Sequence, residues 1–374
     1  MNGTASTPDT ASATPLTAAQ GTQGTEGTSG SVAPSAPATP AASIAQSAPA
    51  TPATPRPPWL IPVTSPEAKP HLRAITHLYT DLDGTLLAPG GKLLANHAGE
   101  PSTATAEAVV ALKRAGLDVI IVTGRNGLQG YEFLRIFDLQ TFIGEVGCLA
   151  IEGLGIPSRV TYELGDWEHT VLAPGLAPGE LPAQTTPYRL ISESGVTSRL
   201  LATFPGKLES PSYTANERQV THVFRGFIDA EKAARLLATE HLPLELVDNG
   251  EIHPQEHTLI DCPEIHIYHL IPRGTSKAVA VARDLARRKL DAAQALAIGD
   301  SLSDVEMGEH TGTLVVMGNA LRSETVQRGL AERVERAERT GRSIVTLYTE
   351  AHTADGWAEF AWALLAAQDQ GSAG

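Results

Sequence analysis

Apolar residues in this chain gather into short runs separated by stretches of helical spacing, and that alternation predicts a layered α/β fold. Residues 75–80 form an apolar strand that opens into Asp81-Leu82-Asp83-Gly84-Thr85. A helix is expected over residues 104–115, where Ala106, Val109, Val110 and Leu112 fall near helical spacing. Ser102 or Thr103 can cap its start, and Gly116 ends it. The β-branched run Asp118-Val119-Ile120-Ile121-Val122 reads as a strand buried on both faces, ending in Thr123-Gly124-Arg125. A helix over residues 128–137 and a single strand over 141–151 follow.

Between Cys148 and Pro272 the alternation loosens into proline- and glycine-rich turns. Residues 158–164, 219–228 and 244–252 look extended, with a helix over 229–240 between the last two, which suggests an inserted α+β domain. Regular alternation returns with an extended run at 264–270, a helix at 275–288 and a strand at 295–298. A loop at 299–304 opens a short helix. A strand at 313–317 and a C-terminal helix at 357–366 complete the pattern. The expected organisation is a parallel-sheet core over residues 71–150 and 270–374, with an insertion over 151–269.

Composition adds a third region. Up to residue 58 the chain is mostly Ala, Thr, Pro, Ser and Gly, and Asp9, Glu26 and Arg56 are its only charged residues. Such a segment buries too little apolar surface to offset the entropy of ordering, so a disordered tail is expected, bounded at residue 70. A recognition arm is the alternative use for it.

The 28 Lys and Arg against 42 Asp and Glu give a net charge of −14, which argues against a duplex nucleic-acid partner and an anionic membrane surface. A small anionic substrate remains compatible, because a few local donors and a metal outweigh the global field. No window offers the about 18 apolar residues of a membrane span, and the N-terminus has no signal-peptide pattern. The two cysteines, Cys148 and Cys262, cannot make a disulfide framework, so a reducing, cytoplasmic compartment is expected.

Four chemically distinctive pieces stand at the ends of apolar runs or the starts of helices: Asp81 with Asp83, Thr123, Lys277, and Asp300 with Asp304. Ligands of open parallel sheets bind beyond the carboxyl ends of the strands. Asp81 and Asp83 are two apart on an extended chain and so project to one side. Clustered oxygen ligands suit Mg²⁺, and a Thr hydroxyl with a Lys ammonium suits phosphate oxygens. An unpaired carboxylate can attack phosphorus.

Asp81-Leu82-Asp83-Gly84-Thr85, Thr123-Gly124-Arg125, Lys277 and Gly299-Asp300 with Asp304 resemble, in order, the four motifs of the haloacid dehalogenase superfamily of phosphohydrolases. The insertion between the second and third motifs resembles the subfamily with a C2-type cap, the Cof-like and sugar-phosphate phosphatases. Val316-Met317-Gly318-Asn319-Ala320 and Asp355-Gly356-Trp357 resemble further segments of that group.

The resemblance implies a Rossmann-like three-layer core with an α+β cap, and a Mg²⁺-dependent phosphomonoester hydrolase acting on a small phosphorylated metabolite, sugar phosphate favoured. It implies that Asp81 is the nucleophile and a metal ligand. Asp83 would be the acid and base, binding metal through its carbonyl. Thr123 and Gly124 would hold phosphate, and Lys277 would stabilise the anionic intermediate. Asp300 would complete the metal site, and Asp304 would bind or orient the metal shell and Lys277. Two positions depart from the family pattern: Ser303 stands where Asn is common, and Val146 replaces Asn in Glu145-Val146-Gly147.

Each piece alone has a plainer reading: a solvated turn, a strand-end turn, a surface lysine, or acids at a helix terminus. The ordered set outweighs these. The glycines of residues 123–130 are wrongly spaced for a dinucleotide loop. His253, His257, His266 and His269 with Asp261 and Cys262 suggest zinc, but Pro254 breaks helical pairing of the first two, and His266 and His269 face opposite sides of an extended run. Arg189, Arg225 and Asn249 could read a substrate from the cap, although surface roles suit them better. The alternatives to a hydrolase are a phosphomutase on the same scaffold and a catalytically weakened phospho-ligand-binding regulator.

Overall fold

The computed structural model describes residues 56–153, 159–167, 186–211, 218–252, 254 and 256–369. The expected tail up to residue 55 and His253 of the zinc set therefore lie outside the described residues.

Strands β1 (Leu60–Pro62), β2 (His77–Thr80), β3 (Asp118–Val122), β4 (Thr141–Gly144), β5 (Leu149–Glu152) and β6 (Arg159–Tyr162) join one large sheet. Strands β7 (Leu208–Glu209), β8 (His222–Gly226), β9 (Leu244–Ile252) and β10 (Ile265–Pro272) form a smaller one. Strands β11 (Ala295–Gly299), β12 (Thr313–Val316) and β13 (Val345–Tyr348) return to the first. The large sheet has nine strands in the order β1-β13-β12-β11-β2-β3-β4-β5-β6. Neighbours from β1 to β4 are parallel, whereas β4-β5 and β5-β6 are antiparallel. The expected parallel α/β core is thus present, with an antiparallel edge. Its centre is apolar for a physical reason: β11 is buried along its whole length and β3 over Val119–Val122, as strands covered on both faces require.

Among the described residues the helices are α1 (Lys69–Leu72), α2 (Ala104–Arg114), α3 (Gly127–Phe137), α4 (Pro187–Ser194), α5 (Val196–Thr203), α6 (Ala230–Leu237), α7 (Lys277–Arg288), α8 (Leu302–Met307), α9 (Glu324–Thr340) and α10 (Thr353–Asp369). One group joins α1 and α2 to α10, and another joins α7, α8 and α9. In the first group Trp357 is fully buried and its indole donates to Thr80 Oγ1 at 3.0 Å, fixing α10 to the end of β2.

The smaller sheet is antiparallel in the order β7-β8-β10-β9. Trp167, Ile191, Leu200, Phe224 and Leu270 belong to its own hydrophobic cluster. Trp167 donates its indole N–H to the Pro243 carbonyl at 2.8 Å.

Several expected elements change. The single strand over 141–151 is a hairpin of β4 and β5, because Glu145, Val146 and Gly147 all adopt left-handed φ values of 51°, 61° and 99° and reverse the chain. β5 and β6 pair into the large sheet, although residues 151–164 were expected to begin the insertion. The tail boundary at residue 70 is too late: β1 pairs with β13, and Val63, Ala68 and Leu72 are buried. Proline hides this strand in the sequence, yet Pro62 is tolerated at an edge. The C-terminal helix starts earlier than expected, at Thr353. Helices α1, α4, α5 and α9 and strands β7 and β13 also have no counterpart among the expected elements. Helix α9 is rich in Glu and Arg and buries only Val326, Gly329, Leu330, Arg333 and Ala337.

Candidate active site

The parallel strands deliver three chain ends to one place. Asp81 follows β2, and its N–H donates to Ile298 of the neighbouring β11 at 3.0 Å. Thr123 follows β3 and donates likewise to Ile143 at 2.9 Å. Asp300 follows β11. Lys277 is the first residue of α7, a helix capped by Ser276, whose hydroxyl accepts from the Val279 N–H at 3.1 Å.

Lys277 is completely buried, and its ammonium lies 2.9 Å from Asp304 Oδ1 and 3.2 Å from Asp81 Oδ1. Burial alone would lower its pKa. The two carboxylates, Asp304 and then Asp81, outweigh that and raise it, so the ammonium stays charged.

The other oxygen of Asp304 is equally occupied. Oδ2 accepts from the N–H of Asp300 at 3.1 Å, the N–H of Ser301 at 2.9 Å and the Ser301 hydroxyl at 2.7 Å. Asp304 therefore ties the loop at residues 300–301 to the Lys277 ammonium. Gly299 permits this fold-back, since a β-carbon there would stand 2.2 Å from the Asp304 β-carbon.

Asp300 accepts from Thr85 Oγ1 at 3.2 Å and from Asn319 Nδ2 at 3.0 Å. Asn319 also donates to the Gly84 carbonyl at 3.0 Å and accepts from the Thr353 N–H at 3.0 Å. This bridging residue belongs to a segment whose family resemblance carried no role; its place after β12 was the available signal. Gly84 adopts φ 79°, and a β-carbon on it would come 2.1 Å from Asp300 Oδ2. Conformation and contact both require glycine there.

One ligand atom from each of Asp81, Asp300 and Asp304 lies within 4.8 Å of the others, and among the described residues no other group of three or more His, Cys, Asp or Glu is so arranged. Burial, partly offset by Lys277, raises the Asp81 pKa well above the usual carboxylate range, and the neighbouring acids add to this. Burial and then Asp304 push Asp300 up to about 7. An all-oxygen set strained in this way fits a divalent cation, which would relieve the repulsion and restore both ionised forms.

Asp83 is not part of that group. Its carboxylate is held by Arg125 in a two-pronged pair, Nε to Oδ2 at 2.8 Å and Nη2 to Oδ1 at 2.6 Å. The Arg125 guanidinium also sits 5.0 Å from the centre of the Phe133 ring. Thr123 is buried, and its hydroxyl accepts from the Arg125 N–H at 3.3 Å.

Residues of the smaller sheet and its connections close the other side. Glu145 is fully buried and accepts from the N–H groups of Gln219, Val220 and Thr221 at 2.8, 3.1 and 2.7 Å, and from the Thr221 hydroxyl at 3.1 Å. Ser303 donates to Asn249 Oδ1 at 3.4 Å, a reach from the first turn of α8 to β9. Arg189 and Arg225 are instead paired with Glu193 and Glu209. His266 pairs with Asp248 at 2.7 Å and Glu264 at 3.3 Å, whereas His269 is buried elsewhere. No sequence expectation pointed to Arg218, whose guanidinium donates to the Gly124 carbonyl at 3.1 Å.

None of the described helices is long and apolar enough to cross a membrane. The family model of the haloacid dehalogenase-like hydrolases matches residues 78–153 and 214–326. The chain is 23% identical over 245 residues to a phosphoglycolate phosphatase of Methanoculleus marisnigri, covering 65% of this chain and 84% of that one. It is 25% identical over 252 residues to an HMP-PP phosphatase of Citrobacter koseri, covering 64% and 83%. A solved structure of a Thermoplasma acidophilum protein aligns with a TM-score of 0.49 at 15% identity, over 78% of this chain and 98% of that one. The chain belongs to the haloacid dehalogenase-like hydrolases and is a phosphatase.

Proposed function

We propose that this phosphatase is a Mg²⁺-dependent phosphomonoester hydrolase of small phosphorylated metabolites, sugar phosphates favoured, working through an aspartyl-phosphate. The observation that carries the reading is the buried Lys277 ammonium between Asp81 and Asp304, with Asp300 alongside. Asp81, Asp300, Asp304 and the Asp83 backbone are the residues that would hold Mg²⁺. When bound, the ion supplies neutralisation of the carboxylates and of the incoming phosphoryl group.

Asp81 attacks phosphorus, so a new O–P bond forms as the ester O–P bond breaks. Asp83 gives a proton to the departing oxygen and then takes one from the water that hydrolyses the aspartyl-phosphate. Thr123 and Gly124 hold phosphate oxygens, and Lys277 stabilises their charge.

The nine-stranded sheet with its helices acts as the catalytic core, and the smaller sheet with its helices acts as a cap that closes over substrate and selects the leaving group. The separate cluster around Trp167 and the Glu145 clamp support that division. The two free cysteines support a cytoplasmic location.

The test is phosphate release across a panel of phosphorylated metabolites, with Mg²⁺ and with chelator. Mg²⁺-dependent release from a small phosphate ester is expected. Equal release with chelator would refute the metal dependence. Release from no compound would contradict the proposed substrate class. A strict bisphosphate requirement without net phosphate release would point to a mutase.

A further inference from the structure

Three groups from separate segments converge on Gly124, next to the proposed phosphate-binding Thr123. A β-carbon on Gly124 would stand 3.1 Å from His269 Nε2 and 3.2 Å from Asn249 Nδ2. Arg218 donates to the Gly124 carbonyl through Nη2 and to Thr221 Oγ1 at 2.8 Å through Nη1.

Two polar atoms at this seam are buried without a partner. One is Nδ1 of His269, a residue only 2% exposed, and the other is Arg218 Nε. Leaving such atoms unpaired costs free energy, so the seam gains when something enters and pairs with them. Burial, Arg218 and then Lys277 hold the His269 imidazole neutral, so it can both donate and accept.

Among the described residues no carboxylate stands within ion-pair distance of Arg218. Glu145 is its nearest acidic influence, but both Glu145 oxygens are taken by residues 219–221. The seam is therefore cationic and rich in donors, and it lies on the cap side of the reacting centre, where the alcohol part of a phosphate ester would sit.

We propose that Arg218, His269 and Asn249 form a leaving-group subsite that selects phosphate esters carrying a second anionic oxygen group, a carboxylate or another phosphate. The inference rests on the hydrolase reading above and narrows its substrate class. A substrate entering between Gly124 and β9-β10 parts the two surfaces. Its second acidic group then accepts from Arg218 and Asn249, while a neighbouring hydroxyl pairs with His269. Arginine suits this task because its planar fork matches two anionic oxygens at once. Specificity arises because an ester without the second group leaves these donors unpaired.

The experiment compares kcat/KM for matched esters with full-length enzyme and Mg²⁺. One arm sets 3-phosphoglycerate against glycerol 3-phosphate, and the other sets glucose 1,6-bisphosphate against glucose 6-phosphate. At least about a tenfold preference for the acid-bearing partner is expected in one arm, which names the group. The preference is expected to collapse towards unity in Arg218→Gln. In Asn249→Asp, at a half-exposed strand position less exposed to folding failure, the new charge should reverse it. Equal values in both arms for the wild type overturn the subsite, as does a preference that survives both substitutions. Wild-type enzyme inactive on all four esters overturns it too, and the wider metabolite panel then shows whether the hydrolase reading also fails.

Discussion

Arg125 holds Asp83 by both carboxylate oxygens, at 2.8 and 2.6 Å, and it reaches there from the loop that also carries Thr123. The proposed proton carrier is thus oriented by the strand next to its own. Charge-assisted two-pronged pairs fix geometry as well as charge. Removing Arg125 should therefore leave Asp83 in place but poorly aimed.

Arg125→Ala is expected to slow alkyl phosphate esters by about 10- to 100-fold. p-Nitrophenyl phosphate should be slowed less, because its leaving group departs without a proton. Steady-state kinetics on the two substrate types decides the matter. An equal loss on both would show that Arg125 acts on something other than proton delivery.

Asp300 makes stability depend on pH. Its folded pKa is raised to about 7 from 3.8. The folded state then binds more protons than the unfolded one between those values, so this contribution is lost as pH rises through 7. Metal-free enzyme should melt at a lower temperature at pH 8 than at pH 5.5. Mg²⁺ should raise the melting temperature more at pH 8, where it binds ionised Asp300 without displacing a proton. Asp300→Asn should flatten both effects. A Mg²⁺ shift unchanged by that substitution would remove Asp300 from the metal set.

Glu145 ties the β4-β5 turn to residues 219–221 through four accepted hydrogen bonds. Glu145→Ala strips partners from three backbone N–H groups at once. A loss of roughly 2–4 kcal/mol in urea unfolding is expected, given about 1–3 kcal/mol per unsatisfied buried group and partial rescue by water. Amide exchange should accelerate first at residues 219–221. Unchanged protection there would show that the clamp contributes little.

The sequence announces some of this site and conceals the rest for identifiable reasons. Asp81, Thr123 and Asp300 are legible because each ends a buried, apolar strand, and strand ends are where such sheets place ligands. Lys277 is legible only as a member of the ordered set, since nothing local distinguishes it from a surface lysine. Arg125 lay within a quoted motif, yet its partner could not be read, because the pairing joins residues 42 positions apart.

His269 illustrates the limit from the other side. Strand alternation correctly separates it from His266, but alternation cannot say that one faces Asp248 and the other faces Gly124. Arg218 has no periodic signal at all. Val146 reads as a simple departure from the family pattern until its φ of 61° is known. Asn adopts that left-handed conformation readily, whereas a β-branched residue is strained there. The β4-β5 hairpin is hidden in the sequence for the same reason: nothing in an apolar run marks a left-handed turn held by distant contacts.

Whether Asp81 attacks phosphorus is decided by kcat/KM of Asp81→Asn on the best substrate found, beside wild type. The amide keeps the shape and removes the nucleophile. A loss of about a thousandfold or more is expected, as for other groups that form the covalent intermediate. Asp81→Asn with wild-type activity would contradict the account.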